Sequence, residues 1–134
     1  MKIYRVEDAD CEGMYRRADE KENTLINDEQ CGRYNHPTPT RDLQLKYSCG
    51  DRVDLNDLPT DYLFGFNSIE QAKAWITEDR WIRDLHTRGF HLVEIEIPSR
   101  YVYIGDTQLI FLNPKVESRI KHNISEALCG NNES

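Results

Sequence analysis

Tyr62-Leu63-Phe64-Gly65-Phe66-Asn67-Ser68-Ile69-Glu70-Gln71-Ala72-Lys73-Ala74-Trp75-Ile76 is the stretch that decides the fold class. The compact apolar run Tyr62 to Phe66 suits a buried strand. Ser68 stands three residues before Gln71, the spacing of a capping box. Behind that cap, Ile69, Ala72, Trp75 and Ile76 fall on one helical face. A strand running into a capped amphipathic helix is therefore predicted, with the helix reaching about Thr77. Trp81, Ile82 and Leu85 repeat the helical spacing, so a second turn or helix is expected to continue to Thr87. Gly89 is placed as its C-terminal cap.

Working outward, His91 to Ile97 alternates. Val93, Ile95 and Ile97 face one way, Glu94 and Glu96 the other, as in a half-exposed strand. Pro98 ends it. Tyr101 to Ile104 and Thr107 to Leu112 read as two strands of a hairpin joined tightly by Gly105-Asp106. Pro114 is expected to start a last helix reaching about Lys121. Toward the N-terminus, Lys2 to Val6 is β-prone and reads as the first strand. Glu7 to Lys21, dense in charge and containing Gly13, reads as a loop, and Glu22 to Gln30 as a short helix. Gly32 to Pro59 reads as irregular, with His36-Pro37-Thr38-Pro39 held extended by its prolines. A loop that long in a compact domain is usually functional or mobile. The tail from Gly130 to Ser134 is expected to be disordered. The whole predicts one α+β domain over residues 1–129, built on a mixed or antiparallel sheet with two or three helices. Its organising core runs from Tyr62 to Leu112.

A chain of 134 residues with 38% hydrophobic and 31% charged residues fits one globular domain. Its 7 Tyr, 4 Phe and 2 Trp are more aromatics than a disordered composition carries. The net charge of −7, with Lys and Arg interleaved among acids, argues against a basic face tracking nucleic-acid phosphates. The acids are scattered rather than massed in the runs an acidic DNA mimic needs. No apolar run approaches the roughly 18 residues of a membrane-spanning helix, and MKIYRVEDAD lacks the apolar segment of a secretory signal. A reducing, cytoplasmic setting is expected. Cys11, Cys31, Cys49 and Cys129 then read as free thiols, with no CxxC pair and no histidine at finger spacing.

Several residues carry possible chemistry. Arg5, beside Tyr4 in the first strand, could simply face solvent or could clamp a phosphate or carboxylate with its planar fork. His36, stiffened by Pro37, could be an ordinary loop residue, a ligand contact or a general base. Glu94 and Glu96 share a strand face, the arrangement of an ordinary exposed surface more often than of an acid–base pair. Asp106 and Gln108 open the last strand and would point the same way in regular geometry. No carboxylate stands at ligand spacing from His86 and His91, so no metal site is expected, and neither a GxSxG elbow nor a Walker loop is present.

The order of these pieces resembles the ADP-ribosyltransferase fold. The similar parts are Tyr4-Arg5 in the first strand and Phe64-Gly65-Phe66-Asn67-Ser68 ahead of the Gln71 to Trp75 helix. The strand His91 to Ile97 and then Asp106-Thr107-Gln108 follow. The chain also looks like small phage and prophage proteins with a Tyr-Arg start, an HPxP loop and an FGFxS helix entry. The resemblance implies NAD as cofactor and a protein or nucleic-acid target. It implies Tyr4, Arg5, Phe66 and Ser68 as cofactor contacts, and Arg5, His36 and Gln108 as catalytic residues. Gln108 stands where that fold carries a glutamate. A neutral amide supplies no negative charge to a developing oxocarbenium ion. The resemblance therefore leaves open a variant chemistry relying on Arg5 and His36, and equally a scaffold used for binding. The second alternative is a non-catalytic phage protein that binds and inhibits a component of host defence in the bacterial cytoplasm.

Overall fold

Two short antiparallel sheets organise the molecule. The structure, a computed structural model, describes residues 1–10, 13 and 42–129. In chain order the elements are β1 (Lys2–Glu7), α1 (Leu43–Cys49), β2 (Tyr62–Gly65), α2 (Ile69–Trp75), α3 (Asp79–Thr87) and β3 (His91–Glu96). After these come β4 (Val102–Ile104), β5 (Leu109–Leu112), β6 (Ser118–Asn123) and α4 (Ile124–Cys129). The first sheet has the order β1-β3-β6 and the second β2-β5-β4, all pairs antiparallel. The fold is α+β, as the sequence predicts.

Alternation explains how the layers stack. Ile3, Val93, Ile95 and Ile97 of the first sheet pack on Leu109 and Phe111 of the second. On the other side of the first sheet, Val6 and Leu92 lie under Ala72, Ile76, Trp81 and Leu85 from α2 to α3 and Leu128 of α4. On the outer side of the second sheet, Ile110 meets Leu45 and Cys49 of α1. Each fully buried aliphatic or aromatic side chain contributes about 1.5–3 kcal/mol relative to exposure.

The helical face predicted behind Ser68 is the one that packs, and Trp81, Ile82 and Leu85 are buried as expected. Gly89 sits just past α3 at φ 87°. Its N–H donates to the His86 carbonyl and the Phe90 N–H to the Leu85 carbonyl, which closes the helix with a Schellman pair. Val93, Ile95 and Ile97 face one side of β3, but Leu92 is buried on the other, so the strand is covered on both faces at its start.

Four readings need correction. The stretch read as irregular, Gly32 to Pro59, contains α1. Its side chains carry only a short i, i+4 apolar pair, Leu45 and Cys49, too little to show as periodicity. The predicted helix from Pro114 to Lys121 is instead a 3₁₀ turn, Asn113–Lys115, followed by β6, because pairing with β3 outweighs weak helix propensity. The β4–β5 turn is longer than a two-residue hairpin: Ile104 pairs with Leu109, and the Gly105 N–H donates to the Gln108 carbonyl. Asp106 and Gln108 consequently do not share a face, since Asp106 is exposed and Gln108 buried. The predicted helix at Glu22 to Gln30, the His36 loop, Cys11, Cys31 and the tail from Gly130 lie outside the described residues.

One short seam joins the sheets. The Tyr4 N–H donates to the Phe66 carbonyl at 2.8 Å and the Phe66 N–H returns the bond to Tyr4 at 2.7 Å. Gly65 makes that approach possible, because a Cβ there would lie 2.7 Å from the Tyr4 carbonyl oxygen. The obstructing atom is backbone, which has little room to move. Gly65→Ala is expected to destabilise the fold by about 1–3 kcal/mol, the range of overpacking at a constrained site, measured as a lowered urea midpoint at unchanged m.

Candidate functional site

The seam brings Tyr4 and Phe66 together, two of the residues singled out in the sequence. β1 supplies Tyr4 and Arg5, and the end of β2 supplies Phe66. Ser68 follows as the N-cap of α2, its hydroxyl accepting from the Gln71 N–H at 3.1 Å. Gln71 completes the cap: its side-chain oxygen accepts from the Asn67 N–H at 2.7 Å, and its Nε2 donates to the Asp106 carbonyl at 2.9 Å. The helix cap is thereby tied to the β4–β5 turn. Gly65 pairs with Leu109 at the end of the β2–β5 ladder, with Phe66 and Gln108 the residues just outside it. Tyr4 and Phe66, far apart in sequence, thus form one row that joins the two sheets.

The row is packed. Phe66 is buried and meets Trp75 edge to face, with ring centroids 5.6 Å apart. Tyr4 packs against the same helix-covered cluster. Gln108 is 3% exposed. In β5, Leu109 and Phe111 face the first sheet and Ile110 faces α1. Strand alternation carried one residue back sets Gln108 on the Ile110 side.

Arg5 lies on the other face of β1. Its Nε donates to Glu7 at 2.8 Å and its Nη1 to the Phe64 carbonyl at 3.2 Å. Glu7 is itself buried and takes a second guanidinium, Arg119 of β6, at 3.4 Å. Arg119 also donates to the Asn113 side chain. Glu7 therefore bridges two arginines between β1 and β6, and Gly13 passes close over the Arg5 guanidinium, where a Cβ would come within 3.0 Å. An ion pair this buried is stable only with its further hydrogen bonds in place. His36 lies outside the described residues, so the structure does not place it beside Arg5.

A second fixed point was not foreseen. Asp42 is buried and caps α1, accepting from the Leu45 N–H at 3.0 Å. The same carboxylate accepts from the Asp106 N–H at 3.0 Å, the Thr107 N–H at 2.9 Å and the Thr107 hydroxyl at 2.9 Å. It thus sets the turn that carries Gln108. Gly105 is needed beneath it, since a Cβ there would lie 2.5 Å from Asp42 Oδ2. Burial pushes the Asp42 pKa up, but the hydrogen bonds from Thr107, Asp106 and Leu45 outweigh it, and the carboxyl sits below the ordinary aspartate value. The cap spacing before α1 was a signal for Asp42. Its partners in the distant turn had none. Local pattern assigns Glu7 to the following loop, whereas it is the last residue of β1.

Elsewhere, Cys49 and Cys129 are free thiols, Cys49 buried and Cys129 exposed. Glu94 and Glu96 are engaged at the surface, Glu94 with Lys2 and His122 and Glu96 with the N-terminal amine. Among the described residues no group of three or more His, Cys, Asp or Glu could hold a metal ion, and no helix is long and apolar enough to cross a membrane.

Fold and seam together define a small α+β protein of two packed antiparallel sheets, closed at their junction by internally paired polar groups. The family it falls into is a viral one. A family model described as bacteriophage T4 Y00F protein matches residues 1–125, and the chain belongs to that family. No curated protein and no solved structure matches it.

Asp42 supplies a test of this geometry. Its folded pKa lies below the unfolded one, so its contribution to stability is fully present above the unfolded value near 4. That contribution is lost as pH falls through the folded value. Asp42→Ala should lower stability at pH 7 by about 2–3 kcal/mol, through loss of a cap and stranded N–H donors. It should also flatten the decline in stability below pH 4, read from urea midpoints across pH 2–7.

Proposed function

We propose that this protein is a non-catalytic phage factor that acts in the host cytoplasm by binding a host protein or protein complex. A component of host defence is the target class in view. Membership of a phage family supports the setting. The observation that carries the reading is the state of the two residues on which group transfer would depend. The Arg5 Nε is bound by buried Glu7, and Gln108, already a neutral amide, is 3% exposed. A charge already paired and an amide already packed offer little to a ligand that must be bound and ionised. In this reading the ADP-ribosyltransferase-like arrangement serves as a framework that presents a surface.

The second reading is NAD-dependent modification of a protein or nucleic-acid target on an ADP-ribosyltransferase-like fold. The adjacency of Tyr4 and Phe66 across the seam favours it. Arg5 would then meet the NAD phosphate or ribose, Tyr4, Phe66 and Ser68 would line the cofactor, and Gln108 and His36 would act at the reacting carbon.

The readings part cleanly in a thermal-shift titration. NAD at about 100 times its dissociation constant would add roughly 2.7 kcal/mol of stability. The binding reading predicts no saturable shift with millimolar NAD, and no labelled ADP-ribose passed to a host lysate by wild type or by Gln108→Glu. It also predicts that chemical crosslinking in infected cells joins the protein to a host protein. A saturable shift, or transfer that disappears in Arg5→Ala, would establish the second reading instead.

A further inference from the structure

We infer that the outer edge of β6 is the docking surface, and that it takes an extended acidic–apolar segment of the host partner as an added strand. This rests on the binding reading above and names its surface and partner chemistry. β6 is the last strand of the order β1-β3-β6, so among the described residues one of its sides has no neighbour in the sheet. The Ile97 N–H donates to the Met1 carbonyl at 3.0 Å, one step beyond the β1–β3 register, which fixes the alternation along β3: odd-numbered residues bond toward β1 and even-numbered ones toward β6. In β6, Ser118, Ile120 and His122 therefore bond inward to Glu96, Glu94 and Leu92. The backbone N–H and C=O groups of Arg119 and Lys121 point outward from the sheet, whereas Asn123 caps α4, its side chain accepting from the Glu126 N–H.

The side chains say what would fit. Arg119 and Lys121 project on the face shared with Val93 and Ile95, whereas Ile120 and His122 project on the face of Glu94. Ile120 is 51% exposed, and Lys121, His122 and Asn123 are also exposed. Between Ser118 and Asn123 there is no acid in a chain that carries −7 overall, so the edge is a basic strip on an acidic molecule. Edge lysines commonly guard a strand against pairing with itself. Here two antiparallel copies of β6 paired about Ile120 would set Arg119 of each against Lys121 of the other, and copies paired about Lys121 would set the two lysines opposite, like-charge arrangements that oppose self-association. An incoming strand meets no such opposition if it alternates acid, apolar, acid. A carboxylate of that strand faces Lys121, beside Arg119, which is already held by Glu7 and Asn113, and its apolar residue covers Ile120. Backbone bonds give such a contact affinity, and the alternate side chains give it choice.

The probe is a short fluorescein-labelled peptide alternating glutamate and valine, read by fluorescence anisotropy against a peptide with lysine in place of glutamate. The full-length protein should bind the acidic peptide at least tenfold more tightly. Lys121→Pro removes an outward N–H while sparing the ladder to β3, so it should abolish binding at unchanged far-UV circular dichroism. Lys121→Glu should erase the preference. Equal binding of both peptides, or binding unaffected by Lys121→Pro, would overturn the inference, as would a concentration-dependent dimer in sedimentation that Lys121→Pro dissolves. Crosslinking separates the two levels. Host protein captured equally by wild type and Lys121→Pro overturns the β6 site and leaves the binding reading standing. Absence of any host adduct overturns the binding reading, while the peptide measurement still decides the edge.

Discussion

Two backbone hydrogen bonds between Tyr4 and Phe66 hold the architecture together. The sheets on either side are small, and each leaves apolar faces that only the other sheet and the helices can cover. The bridge fixes how they meet. It brings Ile3 and Ile95 over Leu109 and Phe111, and it delivers the chain at Phe66 so that Ser68 can start α2 over Val6 and Leu92. It exists because position 65 has no side chain, with the Tyr4 carbonyl oxygen occupying the space a Cβ would need. The packing of three layers thus depends on one close backbone approach at a residue of no chemical character.

Around that seam two buried carboxylates act as fixed points. Glu7 draws Arg5 from β1 and Arg119 from β6 into one network, and Asp42 ties the start of α1 to the β4–β5 turn. Each lies in surroundings that would disfavour a lone charge, and each is compensated by several donors. The consequence for function is a junction in which polar groups are already spoken for. Interaction with other molecules then falls to surfaces beyond it, and the edge of β6 around Lys121, which has no neighbouring strand among the described residues, is the one proposed above.

What could be read from the sequence followed the range of the interactions. The strand–cap–helix unit from Tyr62 to Ile76 was legible because its determinants are local: a compact apolar run, a serine three residues before a glutamine, and a helical apolar face. The same holds for α3, for β3 and for the existence of the β4–β5 hairpin. β6 was not legible. Ser118 to Asn123 is almost entirely polar, and only pairing with β3 makes it a strand. α1 was hidden for the same reason, since Asp42 derives most of its partners from a turn more than sixty residues away. Of the candidate site, the pairing of Tyr4 with Phe66 follows from strand order rather than from any local pattern. The pairing of Arg5 with Glu7 depends on where β1 ends, which local pattern left open.

The closed junction has a direct spectroscopic signature in the Arg5 Nε–H, which donates to Glu7 inside the seam. In a ¹H–¹⁵N NMR spectrum at neutral pH that resonance should be sharp, slow to exchange with solvent and unmoved by millimolar NAD, alongside protected Tyr4 and Phe66 amides. A rapidly exchanging Arg5 Nε–H that becomes protected or shifts as NAD is added would contradict it, and would mark Arg5 as a ligand-binding side chain held in waiting.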